Sequence, residues 1–344
     1  MPDSHAPSVA AGQTDGPAPT PAAQHHAGKP EPQLGFDQPV PDNGYAWWYV
    51  DAVSDDGRHG LTLIAFIGSV FSPYYAWARK RGPRDPKQHC SMNLALYGPP
   101  GRWSMTERGA RALSQSPGEL SVGSNRLGWD GTRLVAKIDD ITAPIPRHVR
   151  GSFTLSPKIT TNKALTLDTK ERHTWWPIAP VARIEVTMDR PSLTWQGSAY
   201  FDSNRGSEPL EDGFEAWDWS RTWWDGGALV LYDMIRRQGG RRTLALAFDE
   251  AGQARAFDPP PEVPLPATRW WRMPRVTRAE TPAIGASASV LATYEDTPFY
   301  ARSLINTHLQ GRAMRGVHES LNLNRFSSTW VQLMLPFRMP RLAR

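Results

Sequence analysis

The sequence predicts an all-β protein with two consecutive antiparallel barrels or sandwiches behind a disordered N-terminal tail. Many short segments alternate apolar and polar residues and are separated by Gly, Pro or Asp-Gly. Hardly any segment shows a sustained helical period, and 344 residues suffice for two ordinary domains. No sequence repeat is visible, so the two-domain prediction rests on chain length and strand number.

Residues 1–41 form the predicted tail. They are rich in Pro, Ala, Gly, His and Gln and contain few large apolar side chains. Such a segment cannot bury enough apolar surface to offset the entropy of ordering. We therefore expect it to be disordered.

The first predicted domain covers residues 42–180. Asp56-Gly57 and Asp130-Gly131 are typical of hairpin turns. Residues 73–87 are expected to begin with a helical turn and to continue as a basic loop broken by prolines. The predicted strands are 45–53, 61–71, 89–98, 133–141 and 149–157.

The second predicted domain covers residues 181–340, after the prolines at positions 177 and 180, with the boundary between about 177 and 193. Its strands follow the same alternating pattern, without sustained helical periodicity. They are predicted at 182–189, 193–203, 214–224, 228–237, 242–250, 269–278, 289–296, 301–310 and 328–336.

Composition narrows the class of protein. The 15 tryptophans exceed the usual share and suit either a core or a site for an apolar ligand. The net charge of +5 comes without a recognition motif, which disfavours nucleic acid as a partner. The longest apolar run, 61–71, is too short to span a bilayer. A single cysteine, Cys90, excludes an intramolecular disulfide and favours the cytoplasm.

A candidate acid lies in the stretch WQGSAYFDSNRGSE, residues 195–208. As a strand, this stretch places Tyr200 and Asp202 on one face, and the same alternation pairs His173 with Trp175 upstream. Turn-forming residues follow Asp202, so the acid lies where a strand runs into a loop. These four side chains are the candidate site.

Desolvation is the physical reason to consider Asp202 an acid catalyst. Burial among aromatic rings disfavours the charged carboxylate and keeps the carboxyl protonated near neutrality. Such an acid can protonate an alkene, and ring faces can stabilise the resulting carbocation. A structural alternative stays open, in which Asp202 caps a turn and the rings are core. The rings expected around it are Trp175, Trp176, Tyr200 and Phe201.

The run FEAWDWSRTWWDGG, residues 214–227, can project Trp217, Trp219 and Trp223 from one face. These side chains either line a pocket for a long apolar ligand or cover a barrel end. The pattern favours neither reading.

Metal binding and nucleotide binding are not expected. His173, His308 and His318 could join Asp202 around a metal ion, but they lack the spacing of ligands on a helix or hairpin. The glycines are scattered in turns and build no phosphate-binding loop. We therefore predict no metal and no cofactor.

Several blocks resemble hydroxyneurosporene synthase, the carotenoid 1,2-hydratase family of purple bacteria. They include ERHTWWPIAPVARIEV, WQGSAYFDSNRGSEPL, FEAWDWSR and HCSMNLALYG, and the resemblance covers about residues 36–340. It implies two lipocalin-like domains and a cofactor-independent lyase. This lyase would add water to the terminal double bond of an acyclic carotene, such as neurosporene or lycopene, and give a tertiary alcohol.

The family's His-x-Trp and Tyr-x-Asp pattern falls on His173, Trp175, Tyr200 and Asp202. The resemblance implies that Asp202 donates the proton, that Trp175 and Tyr200 stabilise the cation, and that His173 positions water or tunes the acid. Because a carotene is nearly insoluble in water, peripheral contact with the inner or intracytoplasmic membrane is expected. A lipocalin-like lipid carrier and a carbohydrate-active enzyme are the alternatives.

Overall fold

The computed structural model describes residues 33–282 and 284–342. The first half of the chain forms a 14-stranded sheet, completed by one strand from the C-terminus. Its strands in chain order are β1 (Tyr45–Ser54), β2 (Gly60–Ile67), β3 (Cys90–Tyr97), β4 (Arg102–Met105), β5 (Glu107–Arg108), β6 (Leu113–Gln115), β7 (Glu119–Val122), β8 (Asn125–Trp129), β9 (Leu134–Ile141), β10 (His148–Ile159), β11 (Leu165–Thr166), β12 (His173–Arg190) and β13 (Leu193–Gly206).

The second half forms a seven-stranded sheet and a small two-stranded sheet. The strands of these two sheets are β14 (Phe214–Trp224), β15 (Gly227–Arg236), β16 (Arg241–Phe248), β17 (Ala254–Ala256), β18 (Glu262–Leu265), β19 (Arg275–Arg278), β20 (Ala288–Asp296), β21 (Tyr300–Leu309) and β22 (Arg312–Asn322). The last strand, β23 (Arg341–Leu342), is the one that completes the first sheet. The short helices are α1 (Pro73–Arg79), α2 (Leu210–Gly213), α3 (Leu323–Phe326) and α4 (Thr329–Met334).

Strand pairing is antiparallel in both large sheets except where β23 returns to lie parallel to β5. The first sheet has the order β23-β5-β3-β2-β1-β13-β12-β10-β9-β8-β7-β6, and the second has the order β17-β16-β15-β14-β22-β21-β20. The all-β prediction is confirmed. Among the described residues, no helix is long and apolar enough to span a membrane.

The first sheet buries a different set of side chains on each face. One face carries the aliphatic core, which includes Val50, Leu61, Leu63, Leu94, Leu96, Leu134, Phe153, Leu155, Ile184, Val186, Ala199 and Phe201. The other face joins the second sheet in the aromatic core, which includes Tyr45, Trp47, Tyr49, Phe66, Trp175, Tyr200, Phe214, Trp217, Trp219, Tyr232, Phe299 and Phe326. The alternation predicted along β13 is therefore confirmed, because Phe201 and Tyr200 lie in different cores.

Strand β12 runs through both prolines that suggested a boundary. The pairing of β12 with β13 shifts register on either side of Ala179, between Trp176 and Ala182, so the prolines lie in an irregular, bulged stretch. The predicted boundary at 180/181 thus lies inside β12, and the chain passes from the first large sheet to the second between β13 and β14. The division into domains 42–180 and 181–340 stays a prediction.

Part of the predicted tail is ordered. Residues 1–32 lie outside the described residues, but Phe36 is fully buried beside Trp48, with ring centroids 5.0 Å apart. Its carbonyl oxygen accepts a hydrogen bond from Gln115 Nε2 at 3.1 Å. The prediction that disorder extends to residue 41 was wrong, because Leu34 and Phe36 supply apolar area that the composition argument overlooked.

Two strand predictions near the C-terminus were also wrong. Residues 328–336 contain α4, where Val331 and Leu335 repeat at the i, i+4 spacing of a helix behind Ser328. Within 269–278 only β19 is extended. Short apolar runs fit the period of a strand and that of a helix, and the prolines around them limit strand length. The helical turn predicted after residue 73 is confirmed as α1.

Candidate active site

Asp202 lies on β13 and faces the aromatic core. Its neighbour across the β1–β13 pair is Tyr49, and Tyr200 lies two residues earlier on the same face. The Asp202 residue is only 5% exposed. Strand pairing therefore fixes this acid among rings supplied by both edges of its own strand.

The two oxygens of the Asp202 carboxyl have different surroundings. Trp175 Nε1 donates a hydrogen bond to Oδ2 at 2.8 Å, and the Tyr200 hydroxyl donates to the same oxygen at 2.9 Å. Buried Oδ1 has no hydrogen-bond partner within the described part of the chain. Since Oδ2 already accepts two hydrogen bonds, Oδ1 is the oxygen available to carry a proton.

The pKa of Asp202 is raised to about 8, mainly because burial disfavours the carboxylate. The hydrogen bonds from Trp175 and Tyr200 act in the opposite direction and lower the pKa. The negative charges of Glu319 and Asp51 raise it again. At neutral pH the Asp202 carboxyl is therefore largely protonated.

The acid borders a cavity of about 370 Å³, within the size range of small-molecule pockets. Its walls are mostly aromatic and come from both large sheets and from the C-terminal segment. The aromatic lining residues are Trp47, Tyr49, Phe66, Phe71, Trp103, Trp175, Trp217, Trp219, Tyr232, Trp271, Phe299, Tyr300 and Phe337.

The rings nearest the acid hold one another by edge and tilted contacts. Trp219 lies 5.2 Å from Tyr200 and 6.0 Å from Tyr49 between ring centroids. Tyr232 meets Trp175 at 5.5 Å with nearly perpendicular planes. Such contacts fix the ring orientations, so the cavity presents a preformed aromatic wall.

A buried charge network adjoins the cavity through Tyr49 and Glu319. Arg302, which is 0% exposed, donates to Asp51 and Glu319, and it donates to the Tyr49 hydroxyl at 2.6 Å. Arg221 pairs with the other oxygen of Asp51 at 3.0 Å. Buried charges of this kind need such partners to offset their loss of solvation.

His173 does not reach the cavity. Its ring is fully buried beside β13, with Nδ1 2.8 Å from the Tyr45 hydroxyl and Nε2 3.3 Å from Glu208. Burial lowers its pKa, so the ring is neutral at pH 7. The expectation that His173 positions water is not matched by this geometry, because both ring nitrogens already have partners in the core.

The predicted pocket tryptophans divide into two groups. Trp217 and Trp219 line the cavity, as expected. Trp223, near the end of β14, stacks instead on the Arg221 guanidinium at 4.3 Å. Trp176 and Phe201 were wrong as lining residues, because they alternate onto the other face of their strands and pack with the aliphatic core.

The histidines considered as metal ligands have separate environments. His318 Nε2 lies 2.9 Å from the carbonyl oxygen of Val276, and His308 lies beside Glu280. Neither of these histidines shares with His173 any of the partners named above. In residues 33–282 and 284–342, no group of three or more His, Cys, Asp or Glu side chains is arranged to hold a metal ion.

Several cavity residues were missed at the sequence level. Trp47 and Tyr49 alternate along β1 in the stretch YAWWYVD, with the same period that singled out Tyr200 and Asp202. That period was a usable signal. Tyr232 and Glu319 come from β15 and β22, and only tertiary pairing brings them to the acid.

Known proteins match most of the chain. A family model described as Carotenoid hydratase CrtC matches residues 63–344. The chain is 54% identical over 323 residues to an acyclic carotenoid 1,2-hydratase of Thiocapsa roseopersicina, covering 92% of this chain and 79% of that protein. It is 51% identical over 314 residues to the protein of the same name in Rubrivivax gelatinosus, covering 90% and 76%.

Solved structures of distant sequence share the fold. Kievitone hydratase from Nectria haematococca aligns with a TM-score of 0.51 at 8% identity, covering 85% of this chain and 98% of that one. A protein of Nitrosomonas europaea assigned to AttH aligns with a TM-score of 0.54 at 16% identity, covering 80% and 92%. These likenesses support the lipocalin-like all-β fold, and the sequence matches show that the chain belongs to the carotenoid hydratase family.

Proposed function

We propose that the protein is a carotenoid 1,2-hydratase, a hydro-lyase of carotenoid biosynthesis. It adds water to the terminal C1=C2 double bond of an acyclic carotene and yields a tertiary alcohol. Family membership and the relatives named acyclic carotenoid 1,2-hydratase support this reaction. The observation that carries the mechanism is the buried carboxyl of Asp202, which lines an aromatic cavity and whose Oδ1 has no hydrogen-bond partner among the described residues.

Asp202 is the proton donor in this proposal. Its raised pKa keeps the proton on the carboxyl at neutral pH, and the proton passes from Oδ1 to C2 of the alkene. Protonation at C2 leaves the positive charge on C1, the more substituted carbon. Trp175 and Tyr200 direct their N–H and O–H groups at Oδ2, so they orient the acid and stabilise the carboxylate that forms.

The faces of the cavity rings stabilise the cation. Trp217 and Trp219 belong to this wall, together with Tyr49 and Tyr232, which the sequence had not suggested. A desolvated cation over such a ring gains about 2 kcal/mol or more. His173, packed between Tyr45 and Phe214, supports the end of β12 that carries Trp175 and acts on the acid only through that strand.

The alternatives explain fewer of these features. A lipid carrier needs the aromatic lining but not a buried, protonated carboxyl. A carbohydrate-active enzyme needs many polar groups for sugar hydroxyls, whereas this cavity is lined mostly by rings and aliphatic side chains.

The direct test is anaerobic incubation of the protein with lycopene and no added cofactor. We expect a product heavier by one water molecule, and product made in H₂¹⁸O should carry the label at the new hydroxyl. Bound but unchanged lycopene would favour the carrier. Turnover that required a metal or a redox cofactor would overturn the proposed mechanism.

The substrate has to reach the cavity from a lipid phase, and the surface around Phe337 suits that transfer. Phe337 is 76% exposed and also lines the cavity, so the cavity opens there. Trp330, stacked on Trp271 at 5.8 Å, exposes about half its surface. Arg269, Arg272 and Arg338 are exposed on segments 264–278 and 323–342, which contain no acidic residue. We propose that this surface, the mouth surface, contacts an anionic bilayer peripherally.

Vesicle sedimentation tests the mouth surface. The protein should sediment with phosphatidylglycerol vesicles at low salt and less with phosphatidylcholine vesicles. The double substitution Trp330→Ser and Phe337→Ser should weaken sedimentation. The matched control is Ile235→Ser, an exposed apolar side chain on β15 that does not line the cavity. Equal sedimentation of both variants would contradict the proposal.

A further inference from the structure

Glu319 is a second carboxyl group at the same cavity, and its two oxygens also differ. Oε1 accepts a hydrogen bond from the Tyr49 hydroxyl at 2.6 Å and another from the Arg302 guanidinium. No described residue donates a hydrogen bond to Oε2. Since Glu319 lines the cavity and is 9% exposed, Oε2 is its oxygen available to a small molecule there.

Asp202 and Glu319 approach the cavity from different sheets. Tyr49 pairs with Asp202 across β1 and β13, and its hydroxyl bonds Glu319 of β22. Trp219 pairs with Glu319 across β14 and β22, and its ring contacts that of Tyr49. One tyrosine and one tryptophan therefore separate the carboxyls, which face a shared space.

The two carboxyls have partners of different charge. Asp202 has two neutral donors and, among the described residues, no bonded cation. Glu319 is ion-paired with Arg302, which is itself held by Asp51. Two carboxyls in such different environments can divide the acid and base roles of an active site.

We propose that Glu319 is the general base that activates the water molecule added to the carotene. This inference rests on the proposed hydration, and it assigns the group that removes a proton from the attacking water. The Asp202 O–H bond breaks as the π pair of C1=C2 forms the new C2–H bond. The water oxygen then bonds to C1, and a proton of that water passes to Glu319 Oε2. Transfer of this proton through solvent back to Asp202 restores both carboxyls.

Glu295, a half-buried carboxyl that also lines the cavity, provides the comparison. It accepts a hydrogen bond from the Tyr97 hydroxyl at 2.7 Å, and it has no hydrogen bond to Tyr49 or Arg302. The geometry therefore favours Glu319 as the base.

The experiment separates protonation of the alkene from capture by water. Lycopene is incubated in D₂O at pH 6 with the unsubstituted protein, with Glu319→Gln and with Glu295→Gln, and deuterium is measured in both alcohol and recovered alkene. Glutamine keeps an oxygen for Tyr49 and Arg302, and thermal melting checks the fold. In Glu319→Gln we expect at least tenfold less alcohol, while deuterium still enters recovered or isomerised alkene. Glu295→Gln should keep the original ratio of alcohol to deuterated alkene.

The outcomes are distinguishable. A parallel loss of alcohol and deuterium in Glu319→Gln would show that the residue supports the acid or the fold, and would overturn the assignment as base. An unchanged ratio of alcohol to deuterated alkene would overturn it as well. If the unsubstituted protein forms neither alcohol nor deuterated alkene, the proposed hydration itself fails.

Discussion

The aliphatic core and the aromatic core occupy opposite faces of the first sheet and bury different chemistry. Consecutive residues of β13 contribute to each, with Phe201 in the aliphatic core and Tyr200 and Asp202 on the aromatic side. The aliphatic core is filled by apolar side chains. The aromatic core surrounds a cavity, and its Tyr49 is bonded to the ion-paired Arg302.

This difference indicates which face determines the fold and which carries out the reaction. Apolar side chains in close contact gain free energy from burial without further conditions. Buried carboxyls reduce stability unless they have partners, and Asp202 keeps one oxygen without any. Such a feature is typical of a functional site, where strain and desolvation serve the reaction.

Substitution of the acid should give the largest effect on activity. Asp202→Asn removes the proton donor, and we expect hydration of lycopene to fall by about 10²–10⁴-fold. The hydrogen bonds from Trp175 and Tyr200 can remain, because asparagine keeps one acceptor oxygen.

The same variant should be more stable than the unsubstituted protein at pH 7. The folded-state pKa of Asp202, about 8, exceeds the ordinary value of 3.8, so ionisation in the unfolded chain destabilises the fold as pH rises between these values. Each unit corresponds to about 1.4 kcal/mol, and the advantage of Asp202→Asn should vanish near pH 4. Chemical denaturation at both pH values measures it. Lower stability of the variant at pH 7 would contradict the desolvated acid.

The neighbouring residue should show the opposite pattern. Phe201→Ala creates a cavity in the aliphatic core and should reduce the free energy of unfolding by about 3–5 kcal/mol. The hydration rate per folded molecule should change little, because Phe201 does not line the pocket. Urea unfolding and active-site-normalised rates measure the two quantities. A rate loss as large as that of Asp202→Asn would show that the aliphatic core also contributes directly to the reaction.

A matched pair on β14 tests the aromatic wall. Trp219→Leu removes a ring that lines the cavity and should reduce the hydration rate by about 30-fold, the equivalent of about 2 kcal/mol. Trp223→Leu, on the same strand but outside the cavity, should leave the rate nearly unchanged. Initial rates on lycopene in vesicles measure both. Equal losses would show that these rings act only through packing.

The smallest effect concerns pH. Activity needs protonated Asp202, so the rate should fall tenfold per pH unit above its pKa of about 8. Tyr200→Phe removes a hydrogen bond that favours the carboxylate, which should raise this pKa by about one unit. A pH–rate profile of both proteins tests the shift. A shift to lower pH would reverse the assigned role of Tyr200.

The local pattern of the sequence predicted much of this arrangement. Period-2 alternation correctly placed Tyr200 beside Asp202 and His173 on the same face as Trp175, because this period follows directly from strand geometry. It could not reveal that Tyr45 and Glu208 bind both nitrogens of His173. It also could not identify Glu319, which reaches the acid only through the pairing of distant strands.

Errors in the sequence prediction arose where two principles competed. The strand predicted at 182–189 was expected to begin after the prolines, but bulges let β12 run through them from His173. The apolar run behind Ser328 fits strand and helix alike, and packing of Val331 decided for the helix. Phe201 and Trp176 were grouped with the acid because they adjoin Asp202 and Trp175 in sequence, although alternation turns them to the other face.

The unequal oxygens of Asp202 have a stereochemical consequence. Donors from two strands hold Oδ2, so Oδ1 delivers its hydrogen along one fixed direction into a cavity with rigid walls. A planar alkene bound there presents a single prochiral face to that oxygen. Hydration in D₂O should then create a C2 centre that is chiral only by isotope, with one configuration in large excess.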